Sequence, residues 1–135
     1  MEALNHINGL DHPGERWIES FDPATGAVIG RYGAASAELA EQAASAAAAA
    51  FFGTDWSSNP RLRESILRTF ADQLESRKED LVALLSLENG KLRHEAQGEL
   101  ASAISEARFY AGLARLPQGR SGEVTPGGLS ILSRE

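Results

Sequence analysis

Apolar residues recur at helical spacing through the middle of the chain. Leu62, Ile66, Leu67, Phe70, Ala71 and Leu74 form one stripe, and Arg63, Glu64, Arg68, Asp72 and Glu75 take the opposite face. That pattern predicts an amphipathic helix. Asn59 caps its start, and Pro60 at the first position loses no hydrogen bond there. A second stripe, Leu39, Ala43, Ala47, Ala50 and Phe51, predicts a helix over 36–52. Ser36 is its N-cap, Glu38 and Glu41 lie near its positive end, and Gly53 stops it. Its small side chains suit a buried helix that another element approaches closely. A third helix carries Leu81, Leu84, Leu85 and Glu88 on one side and ends at Asn89-Gly90, which tolerate left-handed backbone. The longest helix runs from Leu92 to Leu116, about 36 Å at 1.5 Å per residue. Ala96, Leu100, Ala103, Ile104, Ala107, Ala111 and Ala114 follow its period, and Pro117 closes it.

Both ends of the chain read differently. Arg16–Phe21 and Ala27–Tyr32 are strand-like runs around Asp22-Pro23-Ala24-Thr25-Gly26. There Pro presets φ and Gly accepts a positive φ, so the pair predicts a hairpin. Leu10-Asp11-His12-Pro13-Gly14 is read as an earlier turn. Beyond Gln118 the glycines Gly119, Gly122, Gly127 and Gly128 read as turn residues before a strand-like run from Leu129. The expected class is α+β, mostly helical, with short N-terminal and C-terminal strands. The expected divisions are 1–35 for strands and turns, 36–117 for helices and 118–135 for strands.

Composition narrows the possibilities. The 135 residues are 42% hydrophobic and 24% charged, which is globular and excludes a disordered tail. Alanine is abundant, so the core is expected to be thin, because each Ala buries little area. The net charge of −6 argues against nucleic acid or an anionic membrane as a partner. The longest apolar run, Ala46–Phe52, is far short of the roughly 20 residues that span a bilayer. No signal-peptide pattern opens the sequence, so a cytoplasmic location is expected. There is no cysteine, which removes disulfides, thiolate nucleophiles and thiolate metal sites together.

Little catalytic equipment is visible. No glycine-rich loop stands between a strand and a helix as a phosphate cradle. His6, His12 and His94 are scattered. Glu95 and Glu99 share a helix face at i, i+4, where they form either an acid–base pair or a solvated acidic face. Glu88 falls on the apolar side of its helix. A carboxylate buried there needs a partner, and Lys91 or a bound cation would supply one. Gly98, Ser102 and Ser105 put small groups on one side of the long helix, for close packing or for the wall of a ligand channel.

Several segments, taken in order, resemble the opening of the NAD(P)-dependent aldehyde dehydrogenase superfamily. They are Ile7-Asn8-Gly9, then Phe21-Asp22-Pro23-Ala24-Thr25-Gly26-Ala27-Val28-Ile29, with Asp22 where the family usually has Asn. Trp56 and the helix around Ile66–Glu75 follow. Then come Leu87-Glu88-Asn89-Gly90-Lys91, Glu95-Ala96, Gly98-Glu99 and Arg108-Phe109-Tyr110-Ala111-Gly112. Each is weak alone, but the ordered set covers nearly the whole chain.

The resemblance implies an N-terminal fragment of an enzyme with a Rossmann-type α/β fold. Such enzymes oxidise an aldehyde to a carboxylic acid with NAD or NADP. A cysteine thiolate attacks the aldehyde, and a glutamate-activated water releases the acid. An Asn side chain and a backbone N–H form the oxyanion hole. None of those residues matches a position in this chain. No catalytic or cofactor-binding residue is therefore expected, nor any NAD(P) bound to the fragment, which is expected to be inactive. By the same resemblance, Glu88 with the backbone carbonyl near Phe21 would hold a monovalent cation. Gly98 and Ser102 would line the substrate tunnel. Residues 36–117 would be the helical part of the cofactor-binding domain, and 118–135 would begin the oligomerisation strands. Expected partners are the remainder of an aldehyde dehydrogenase chain or homologous subunits. Two alternatives stay open: a free-standing helical interaction module, and a truncated product that binds intact subunits.

Overall fold

The computed structural model describes residues 1–116 and 119–133. Five short strands come first: β1 (Glu2–Ala3), β2 (Asn5–Ile7), β3 (Leu10–His12), β4 (Arg16–Phe21) and β5 (Val28–Ala34). Four helices follow: α1 (Ala37–Gly53), α2 (Pro60–Ser76), α3 (Lys78–Asn89) and α4 (Arg93–Leu113). Strands β6 (Gly119–Thr125) and β7 (Gly128–Ser133) end the described chain. The expected α+β class, mostly helical with strands at both ends, is what forms.

The strands make three small sheets. β4 and β5 pair antiparallel around the Asp22–Gly26 turn, as the sequence predicts, with an irregularity at Ser20/Phe21. β1 adds to β5 in parallel, giving the order β1-β5-β4. The Leu10–Gly14 turn is corrected. Leu10–His12 is a strand paired with Asn5–Ile7, and the chain reverses at Asn8-Gly9, where φ is 51° and 80°. Two successive positive φ values suit a two-residue hairpin, and Asn-Gly is the dipeptide that adopts them at least cost. Asn5 fastens this hairpin to the larger sheet by donating its side-chain amide to the Gly33 carbonyl at 3.1 Å. A second correction concerns Gly119 and Gly122. They lie within β6, paired with Ser133 and Ser130, and the turn is left to Pro126-Gly127, where Gly127 has φ 79°.

The helix starts follow their caps. The Ser36 Oγ accepts the Leu39 N–H at 3.1 Å, and the Asn59 Oδ1 accepts the Leu62 N–H at 3.1 Å with Pro60 opening the helix. α3 stops at Gly90, which takes φ 68° and returns its N–H to the Ser86 carbonyl at 2.9 Å. α4 is shorter than predicted. Arg93–Leu113 spans about 32 Å, and the Leu116 N–H turns back to the Leu113 carbonyl. Pro117, expected to close it, lies outside the described residues, as do Gln118, Arg134 and Glu135.

The core lies where α2, α3 and α4 meet. Ala71, Val82, Ala96, Leu100 and Ile104 are buried there, with Leu74, Leu81, Leu85 and Ala107 half-buried against them. Ion pairs stitch the same helices from outside. Arg108 reaches Asp72 at 3.1 Å and Glu75 at 2.8 Å, Arg93 reaches Glu79 at 2.7 Å, and Arg115 reaches Glu64 at 3.2 Å. Every pair has at least one exposed partner, Glu64 alone being half-buried, so each adds about 1 kcal/mol or less.

What this core leaves uncovered is large. The accessible surface is 10069 Å² for a 14.4 kDa chain, against roughly 6,800 Å² for a compact monomer of that mass. The α2 stripe splits: Ala71 is buried, while Ile66 and Phe70 face outward. α1 was expected to be buried and has no buried residue at all. Leu39, Ala43 and Ala46 are half-covered, whereas Ala47, Ala50 and Phe51 are exposed and Phe52 is 82% exposed.

Urea unfolding of the purified chain checks this division. Ile104→Ala is expected to cost about 2–5 kcal/mol, as a core truncation does. Phe52→Ser, although it removes an aromatic ring, is expected to stay within about 0.5 kcal/mol of the parent.

Candidate functional site

The β4–β5 turn meets the junction between α3 and α4. The β4–β5 turn is built locally. The Asp22 carboxylate accepts the Ala24 N–H at 2.8 Å and the Thr25 hydroxyl at 2.7 Å, and the Gly26 N–H donates to the Asp22 carbonyl at 2.8 Å. The bonds to the carboxylate hold the Asp22 carboxyl below its ordinary range, the Thr25 hydroxyl contributing most and the Ala24 N–H next. The turn then sets Pro23 over Gly90. A Cβ on Gly90 would stand 2.7 Å from the Pro23 ring, so both the close approach and the positive φ require glycine.

Beside this contact lies a groove of about 160 Å³ between β5, the Met1–Ala3 segment and α3. Ile29, Tyr32, Leu84 and Leu87 form its apolar wall, and Ser20, Arg31 and Glu88 its polar margin. Glu88 and the neighbour of Phe21 therefore meet at one groove. The expectation that Glu88 is buried and needs a partner is corrected: its side chain is exposed. Lys91 is not its partner either, because the Lys91 ammonium donates to Glu99. Ser86 fixes the bend by donating its hydroxyl to the Lys91 carbonyl at 2.7 Å.

The other candidate residues separate. Glu95 accepts the Leu92 N–H at 3.2 Å and so caps α4, while Glu99 pairs with Lys91. The i, i+4 carboxylates thus serve two structural bonds. His6 pairs with Asp11 at 2.8 Å on the surface, far along the chain from His94 on α4. Among the described residues no group of three or more His, Cys, Asp or Glu side chains is placed to hold a metal ion.

Gly98 and Ser102 share the outer face of α4, one turn apart and opposite the buried Ala96, Leu100 and Ile104. Both are exposed, and a Cβ on Gly98 would meet nothing within 4 Å. Among the described residues, nothing packs closely against Gly98. A dinucleotide does not fit the described residues. No parallel βαβ unit presents a helix N-terminus to a pyrophosphate, and Gly119, Gly122 and Gly127 belong to a hairpin. No helix among the described residues is long and apolar enough to cross a membrane.

Comparison with known proteins identifies this architecture. Residues 10–135 match the aldehyde dehydrogenase family, and the chain belongs to it. It is 34% identical over 119 residues to a malonate-semialdehyde dehydrogenase of Listeria innocua, covering 87% of this chain and 24% of that protein. It is 32% identical over 110 residues to (Z)-2-((N-methylformamido)methylene)-5-hydroxybutyrolactone dehydrogenase of Acinetobacter baylyi, covering 81% and 22%. An NAD-dependent aldehyde dehydrogenase from Sinorhizobium meliloti superposes with a TM-score of 0.86 at 26% identity, over 97% of this chain and 27% of that one. A point mutant of betaine aldehyde dehydrogenase from Staphylococcus aureus, solved with NAD+, superposes with a TM-score of 0.82 at 26% identity, over 90% and 26%. The chain thus spans about a quarter of the length of the relatives it matches, and it resembles the N-terminal segment of the family.

Two substitutions check the site geometry. The Asp22 carboxyl is depressed on folding. Its contribution to stability is therefore complete above the ordinary carboxylate range and lost as the pH falls through the depressed value. Asp22→Asn is expected to flatten this acid limb in thermal melts taken from pH 6 downward. Gly98→Ala is expected to stabilise the chain by about 0.5–1 kcal/mol in urea unfolding, because the helix gains propensity and nothing obstructs the methyl group.

Proposed function

We propose that this chain is the N-terminal scaffold of an enzyme that oxidises an aldehyde to a carboxylic acid with NAD or NADP, and that it performs no chemistry by itself. The observation that carries this reading is the surplus surface. A chain that folded for its own sake would not expose about one and a half times the area of a compact monomer. Family membership supports the same reading, and the absence of any cysteine supports the inactivity of these residues alone, since the family's nucleophile is a thiolate.

The exposed faces of α1 and α2 pack against the remaining architecture of the enzyme, whether in the same polypeptide or in a homologous subunit. Residues 36–117 form the helical part of the cofactor-binding domain. Residues 118–135 begin the strands through which subunits associate. Glu88 and a backbone carbonyl near Phe21 hold a monovalent cation at the margin of the groove, locking the β4–β5 turn to α3. Gly98 and Ser102 form part of the substrate tunnel wall. The aldehyde is admitted past them and reacts at residues on the opposite wall. The enzyme works in the cytoplasm, a location in keeping with the absence of cysteine.

Grafting tests this directly. The chain is joined in place of the matching segment of the Listeria innocua malonate-semialdehyde dehydrogenase, and NAD(P)H formation from aldehyde is followed at 340 nm. The chimera is expected to turn over, and the 135-residue chain alone is expected to give the buffer rate. Turnover by the chain alone contradicts the scaffold reading. In the chimera, Glu88→Gln is expected to abolish the dependence of thermal stability on Na+ or K+. An unchanged ion dependence would remove Glu88 from the cation site.

A further inference from the structure

We draw no further inference here: the strongest candidate, the uncovered apolar face of α1 that ends in Phe51 and Phe52, is the surface already given to the rest of the enzyme, and nothing in the structure shows what else covers it.

Discussion

The constraint on which everything else depends is the shortage of interior. Three helices, α2, α3 and α4, converge on a core whose largest fully buried side chain is Val82, with Ala71 and Ala96 beside it. Burying alanines removes little apolar area from water, so the helices gain most of what they gain from close approach. α1 carries the problem furthest. From Ala43 to Phe52 it is apolar all round except at Ser45, and a helix of that kind belongs inside a protein. Here it contacts the strand β2 and little else. The unsatisfied hydrophobic surface is therefore part of the sequence, and it calls for a larger body to lie against.

The same constraint explains how the polar groups are used. Several of them hold a thin layer together. Glu95 caps α4, Glu99 holds Lys91, and Arg108 joins α2 to α4 through two carboxylates. The strands are attached to this layer through the Asp22 turn and the contact of Pro23 with Gly90. Near that contact, Glu88 and Ser20 line one groove at the joint between strands and helices.

Local signals made most of the elements legible. The Ser36 and Asn59 caps, Pro60 and the Asn89-Gly90 stop correspond to real helix ends, because capping is decided by a few neighbouring residues. The Asn8-Gly9 hairpin signal is equally present in the sequence, but the nearby His12-Pro13-Gly14 competes with it for the turn. Gly119 and Gly122 misled for a different reason: ladder pairing with β7 fixes them as strand, and glycine content alone does not register a partner strand. Tertiary questions were not legible. The apolar position of Glu88 implied burial, yet the helix turns that residue to the rim of a groove. The stripe on α2 implied one covered face, yet α4 covers only half of it. The family was readable because its motifs occur in order, even though none of them is decisive singly.

Hydrogen–deuterium exchange on the dilute, purified chain tests the central claim most directly. If α1 awaits a covering body, its amides exchange at close to unfolded rates while those around Leu100 and Ile104 in α4 stay protected by orders of magnitude, since local opening costs least where few apolar contacts must be broken. Protection of α1 equal to that of α4 in a monomer would contradict the account, because it would mean that this helix is already fully packed.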